Sequence, residues 1–143
     1  MSISPSNAAD YRVLIVDDEP VVLDAVSDYL TAYGFQVDVA QELGEAEALL
    51  SSSDYSLVIA DVRLTGIHGR EGLELLRSAR RQSPGAKTIV ITAHGADDLE
   101  REARRRGADT FLEKPIPLSD LLLEVRRLLM EGDEAAGRRT LSA

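Results

Sequence analysis

Short, continuous apolar runs separated by helix-period segments constrain this 143-residue chain more than any other feature. The runs are Val13-Leu14-Ile15-Val16 leading into Asp17-Asp18, Leu57-Val58-Ile59-Ala60 into Asp61, Thr88-Ile89-Val90-Ile91 into Thr92, and Thr110-Phe111-Leu112 into Glu113-Lys114. Apolar runs of this length, bounded by polar residues, predict parallel strands buried on both faces. In such a sheet the carboxyl ends of the strands share one edge, and ligands bind there. Residues distant in sequence therefore converge as acids, a hydroxyl and an amine.

The pattern alternates strand and helix five times, with strands expected at 12–16, 35–39, 56–60, 87–91 and 109–113. Helices are expected at 19–33, 42–52, 70–82, 96–106 and 118–131. The first repeats Val22, Val26, Tyr29, Leu30 and Tyr33 on one face and stops at Gly34, which tolerates a left-handed backbone. The last carries Leu118, Leu121, Leu122, Val125, Leu128 and Leu129, with Pro117 suited to its first turn. The fourth opens on Asp97, Asp98 and Glu100 and closes on Arg104, Arg105 and Arg106, complementing its macrodipole. This alternation predicts an open parallel sheet covered by helices on both faces, with right-handed crossovers. Residues 11–130 form the domain; 1–10 read as a loose lead and 131–143 as a polar tail or linker stump.

Composition narrows the function classes. The balance of 16 basic against 25 acidic residues, net −9, argues against direct nucleic-acid binding by the domain. Without cysteine, neither disulfides nor thiolate metal sites are available. No stretch approaches the roughly 18 apolar residues of a membrane span, and the first ten residues lack a signal-peptide pattern. A cytoplasmic protein is the expectation.

Leu14-Ile15-Val16-Asp17-Asp18-Glu19-Pro20, Asp61 after an apolar strand, Ile91-Thr92-Ala93, and Phe111-Leu112-Glu113-Lys114-Pro115 occur in that order. Together they resemble the receiver domain of bacterial two-component response regulators, over residues 11 to 130. The resemblance implies a flavodoxin-like (βα)5 sandwich of strand order 2-1-3-4-5, an order that general accounts of doubly wound folds also illustrate with a chemotaxis receiver. It implies that Asp61 accepts a phosphoryl group from a histidine kinase or histidine phosphotransfer protein. A carboxylate attacks phosphorus only when anionic repulsion is neutralised and the geometry is in line. The implied neutralising cofactor is Mg²⁺, held by Asp17, Asp18, Asp61 and the backbone carbonyl of Arg63. Mg²⁺ prefers oxygen donors and keeps several waters.

The resemblance also implies that Lys114 pairs with Asp61 and then with the phosphoryl oxygens, aimed inward by a cis Lys114–Pro115 bond. Thr92 and Phe111 correspond to a switch pair: the hydroxyl bonds the new phosphoryl group, its loop moves inward, and the ring turns toward the core. Phe111 stands where many relatives have Tyr; lacking a hydroxyl to satisfy outside, its inward rotamer is expected to gain. The face made by residues 96–130 is the expected surface for an output domain, a protein target or a homodimer. On this reading the chain catalyses only its own phosphorylation and dephosphorylation.

The chain departs from the family after Asp61. Thr65 replaces a common Pro, and Gly66, Gly69 and Gly72 make the stretch 62–72 conformationally permissive. Arg63 and His94 flank the acceptor where they either contact phosphoryl oxygens or lie as plain loop residues, and His68 lacks the companions of a metal site. Arg104-Arg105-Arg106 is explained by helix-end compensation. Two other readings fit less well: an aspartyl-nucleophile phosphohydrolase, disfavoured because Arg63 stands where such enzymes carry a second Asp, and a receiver-like binding module that is never phosphorylated, disfavoured by the complete set of acidic, hydroxyl and lysine positions.

Overall fold

The computed structural model describes residues 7–61, 70–92 and 97–131. Along the chain run β1 (Arg12–Val16), α1 (Pro20–Ala32), β2 (Gln36–Ala40), α2 (Leu43–Ser52) and β3 (Leu57–Asp61). They are followed by α3 (Arg70–Gln82), β4 (Lys87–Thr92), α4 (Asp97–Arg105), β5 (Thr110–Glu113) and α5 (Leu118–Arg126). All five strands form one parallel sheet of order β2-β1-β3-β4-β5, as expected. Its pairing sets Val16 beside Ala60, Asp61 beside Ile91, and Thr92 beside Glu113.

Alternation of side chains along each strand divides the core into two layers. Val13, Ile15, Leu57, Ile59 and Ile89 point to the face covered by α1 and α5, where they meet Leu23, Val26, Leu30, Leu121, Leu122, Val125 and Leu129. Leu14, Val16, Val58 and Ala60 point the other way, onto Ala46 and Leu50 of α2 and Leu75 and Ala79 of α3. Val90 packs beyond them with Leu73, Leu76 and Ala103, joined at the margin by Phe111. Burial on both faces explains why the central strands read as unbroken apolar runs. Each fully buried Leu or Ile side chain stabilises the fold by about 1.5–3 kcal/mol relative to exposure.

Three local details differ from the pattern-based expectation. On α1 the buried stripe is Leu23, Val26 and Leu30, so the core face is rotated from the expected one, with Val22 and Tyr29 packed at its edge. Tyr33 caps that helix instead of joining its buried face; it lies against Tyr29, with ring centroids 5.1 Å apart, and receives the Arg126 guanidinium at 5.2 Å. Ala8–Asp10, within the expected loose lead, form a single 3-10 turn capped by the Asn7 side chain. Gly34 does adopt the left-handed backbone expected of it, with φ 101°, and its N–H bonds the Thr31 carbonyl at 2.9 Å. After α5 the helical path continues as a wider, π-type turn over Arg127–Glu131.

Candidate functional site

Sheet topology brings the ends of β1, β3, β4 and β5 to one edge. Asp61 is the last residue of β3, held in the ladder opposite Ile91 and only 3 % exposed. Asp17 follows β1 directly, is 4 % exposed, and is anchored by donation of its N–H to the Ala40 carbonyl at 3.1 Å. Its carboxylate accepts the Glu19 N–H at 3.0 Å, turning the chain into α1. This turn brings Glu19 back toward the site. Carboxylate oxygens of Asp17, Glu19 and Asp61 all lie within 4.8 Å of one another.

Glu19 is the site residue that pattern reading missed, although it stands in the same acidic run. Asp18, singled out beside Asp17, is exposed and outside this group of three, but its charge still acts on Asp17. Arg63, His68 and His94, together with the glycine-bearing loop up to residue 69, lie outside the described residues.

Lys114 extends from the end of β5, and its Nζ donates to Asp61 Oδ2 at 2.5 Å. The Lys114–Pro115 peptide bond is cis, as expected. Lys114 also donates its backbone N–H to the Thr92 carbonyl at 2.8 Å, so the lysine and the buried hydroxyl residue are one hydrogen bond apart. Phe111 is half-buried against the cluster of Leu73, Leu76, Val90 and Ala103.

The electrostatics follow from crowding like charges out of water. Burial, first, and then the neighbouring Asp61 raise the Asp17 carboxyl to a pKa of about 7; a hydrogen bond with Asp61 adds to this, and Lys114 opposes it. The donor set is three carboxylates offering oxygen ligands, which fits a small, hard divalent cation such as Mg²⁺. Beside these groups a cavity of about 450 Å³ runs between α1 and α5, walled by Val22, Val26, Ile59, Ile91, Ile116 and Leu121. Its aliphatic walls lower the local dielectric and strengthen every charge interaction at its mouth.

A doubly wound parallel sheet with acids, a hydroxyl residue and a lysine at its carboxyl edge defines the class. The family model for the response regulator receiver domain matches residues 13–126, and the chain belongs to that family. It is 36% identical over 129 residues to the C4-dicarboxylate transport transcriptional regulatory protein DctD of Pseudomonas aeruginosa, covering 86% of this chain and 27% of that protein. It is 34% identical over 121 residues to the transcriptional regulatory protein CusR of Escherichia coli, covering 85% of this chain and 52% of that one. The chain thus spans about half or less of these curated relatives. Among solved structures, a CheY-like receiver domain protein from Methanospirillum hungatei superposes with a TM-score of 0.79 at 31% identity, covering 87% of this chain and 98% of that one. The chain is a signalling domain of two-component response regulators. Among the described residues, no helix is long and apolar enough to cross a membrane.

Proposed function

We propose that Asp61 is the phosphoacceptor of this receiver domain, modified by a phosphohistidine on a kinase or phosphotransfer protein. A carboxylate oxygen of Asp61 forms the new O–P bond as the histidine N–P bond breaks, and the departing imidazole takes up a proton. Lys114, already on Asp61 Oδ2 at 2.5 Å, is placed to follow the phosphoryl oxygens as negative charge moves onto them. Mg²⁺ bound by Asp17, Asp61 and Glu19, with Asp18 and the Arg63 carbonyl as further donors, would screen the repulsion between carboxylate and phosphoryl group. The ladder holds Asp61 in place, which keeps the attacking atom oriented.

Modification adds charge and acceptor oxygens at one point. The hydroxyl of Thr92, buried at the end of β4, would bond a phosphoryl oxygen, and Phe111 one strand further on would respond by shifting its packing. The face formed by residues 96–130 would then carry the change to an output domain, a protein target or a second copy. An output domain is in keeping with relatives that are transcriptional regulators, of which the match covers 27% and 52%. A cytoplasmic location follows from partnership with a kinase's phosphohistidine.

The observation that carries this reading is the Lys114–Asp61 pair within one acidic cluster. Incubation with acetyl phosphate and Mg²⁺, followed by intact-mass measurement, tests it. The unmodified sequence is expected to gain one phosphoryl group and the Asp61→Asn variant none. Equal gain in both would exclude Asp61 as the acceptor.

A further inference from the structure

The opposite edge of the sheet carries a basic groove that the phosphoacceptor site does not use. Helices in a parallel α/β fold run back against their strands, so α3 and α4 both end at this edge. Arg77, Arg80 and Arg81 from α3 and Arg104, Arg105 and Arg106 at the end of α4 line a cavity of about 610 Å³, completed by Gly107. Six of the chain's 16 basic residues therefore meet in one concavity of a protein with net charge −9.

The two helices hold their arginines differently. On α4, Arg104 pairs with Glu100 at 3.0 Å, while Arg105 and Arg106 pair with Glu102 at 3.6 and 2.9 Å. On α3, Arg77, Arg80 and Arg81 stand at i, i+3 and i+4 and share one face of the helix, where like charges repel. None of these three has an ion pair among the described residues. Helix-end compensation accounts for cations in a last turn, but Arg77 lies a turn earlier. Asp109, the nearest acid after Gly107, is occupied elsewhere: its carboxylate accepts the Thr88 N–H at 2.8 Å. Gly107 itself has φ 102°, and a Cβ there would fall 2.0 Å from Arg80 Nη1. The missing side chain at Gly107 leaves room for that guanidinium over the loop.

We propose that this groove binds a compact anion bearing several phosphate groups, of the diphosphate or triphosphate class. Arginine forks match phosphate oxygens two at a time. The cavity falls within the roughly 300–1,000 Å³ typical of small-ligand sites. The chain's net charge of −9 opposes binding of a long, uniformly anionic duplex. Inorganic polyphosphate and a nucleotide phosphate chain share this chemistry.

Calorimetric titration of the whole chain with inorganic tripolyphosphate and, separately, with ADP tests the assignment, in EDTA so that no divalent ion draws phosphate to the carboxylate edge. Saturable one-to-one binding that weakens with salt is expected. Arg80→Gln and Arg81→Gln should each lose about tenfold in affinity, the value of one charge-assisted pair. Tighter binding of ADP than of tripolyphosphate would assign a nucleotide, and the reverse a polyphosphate. Four results would overturn the proposal: no saturable binding at millimolar ligand, affinity unmoved by the α3 substitutions, loss of binding in Asp61→Asn, or stronger binding to a short DNA duplex. Arg77→Gln, an exposed change on the same face, gives an independent reading if either of the other variants folds poorly.

Discussion

At the carboxyl edge of the sheet, Asp17 and Asp61 are buried beside Glu19, and Lys114 pairs with Asp61; at the amino edge, six arginines line an open groove, half of them bridged to glutamates. Each edge gathers side chains of one sign. The acidic edge holds Asp17 and Asp61 out of water, where an uncompensated charge is costly. The basic edge leaves its forks hydrated, where surplus charge costs little. Stability should therefore respond to ions and pH at the first edge and hardly at all at the second. A buried charge is a standing demand for a counterion, whereas a solvated charge is only an attraction.

The largest expected effect comes from supplying that counterion. At a Mg²⁺ concentration one hundred times the dissociation constant, thermal or urea unfolding at pH 8 should show stabilisation of about 2.7 kcal/mol. At pH 5 the gain should shrink, because Asp17, with its pKa raised to about 7, keeps a proton that the metal must displace. An equal gain at both pH values would break the contrast between the edges.

A smaller effect is expected from Asp17→Asn. In the metal-free protein a raised carboxyl pKa means that the folded state binds more protons than the unfolded state between pH 3.8, the ordinary value, and about 7. Stability from this group is thus full below the ordinary value and is lost as pH rises through that window. Asparagine removes the loss, so at pH 8 the variant should be more stable by on the order of 1–2 kcal/mol while its Mg²⁺ response falls. A variant less stable than the parent in EDTA would show that Lys114 already balances the cluster.

The smallest effects lie at the basic edge. Gly107→Ala should cost about 1 kcal/mol in urea unfolding, since its backbone is left-handed and Arg80 must move aside. Removing one α3 arginine charge should change stability by no more than about 0.5 kcal/mol, as is usual for exposed positions. A loss several times larger would mean that those guanidinium groups hold the helices together.

Much of this was legible before any coordinates. The strands were placed within one residue because Leu57 to Ala60 and Val13 to Val16 are buried on both faces, so their hydrophobicity has no interruptions. The convergence of Asp17, Asp61, Thr92 and Lys114 followed from the rule that parallel strands end at one edge. What escaped was set by rotation and by meetings in space. The choice of Leu23 over Val22 as the α1 core residue depends on the helix's phase against the sheet, which apolar spacing alone does not determine. Glu19 joins the cluster because of a turn closed by the Asp17 side chain, a contact invisible as a spacing. Arg104 to Arg106 were readable as a helix end, but their neighbours Arg77, Arg80 and Arg81 come from another segment and meet them only when α3 and α4 pack side by side.

Asp61 belongs to the ladder that joins β3 to β4, with neighbours bonded along the strand. Its main chain is consequently anchored like a post, and a group attached to its side chain cannot drag that strand along. Any response would have to arise around it, through rotation of neighbouring side chains. A phosphoryl group on the acceptor proposed above would therefore act on its surroundings and not on the strand that carries it.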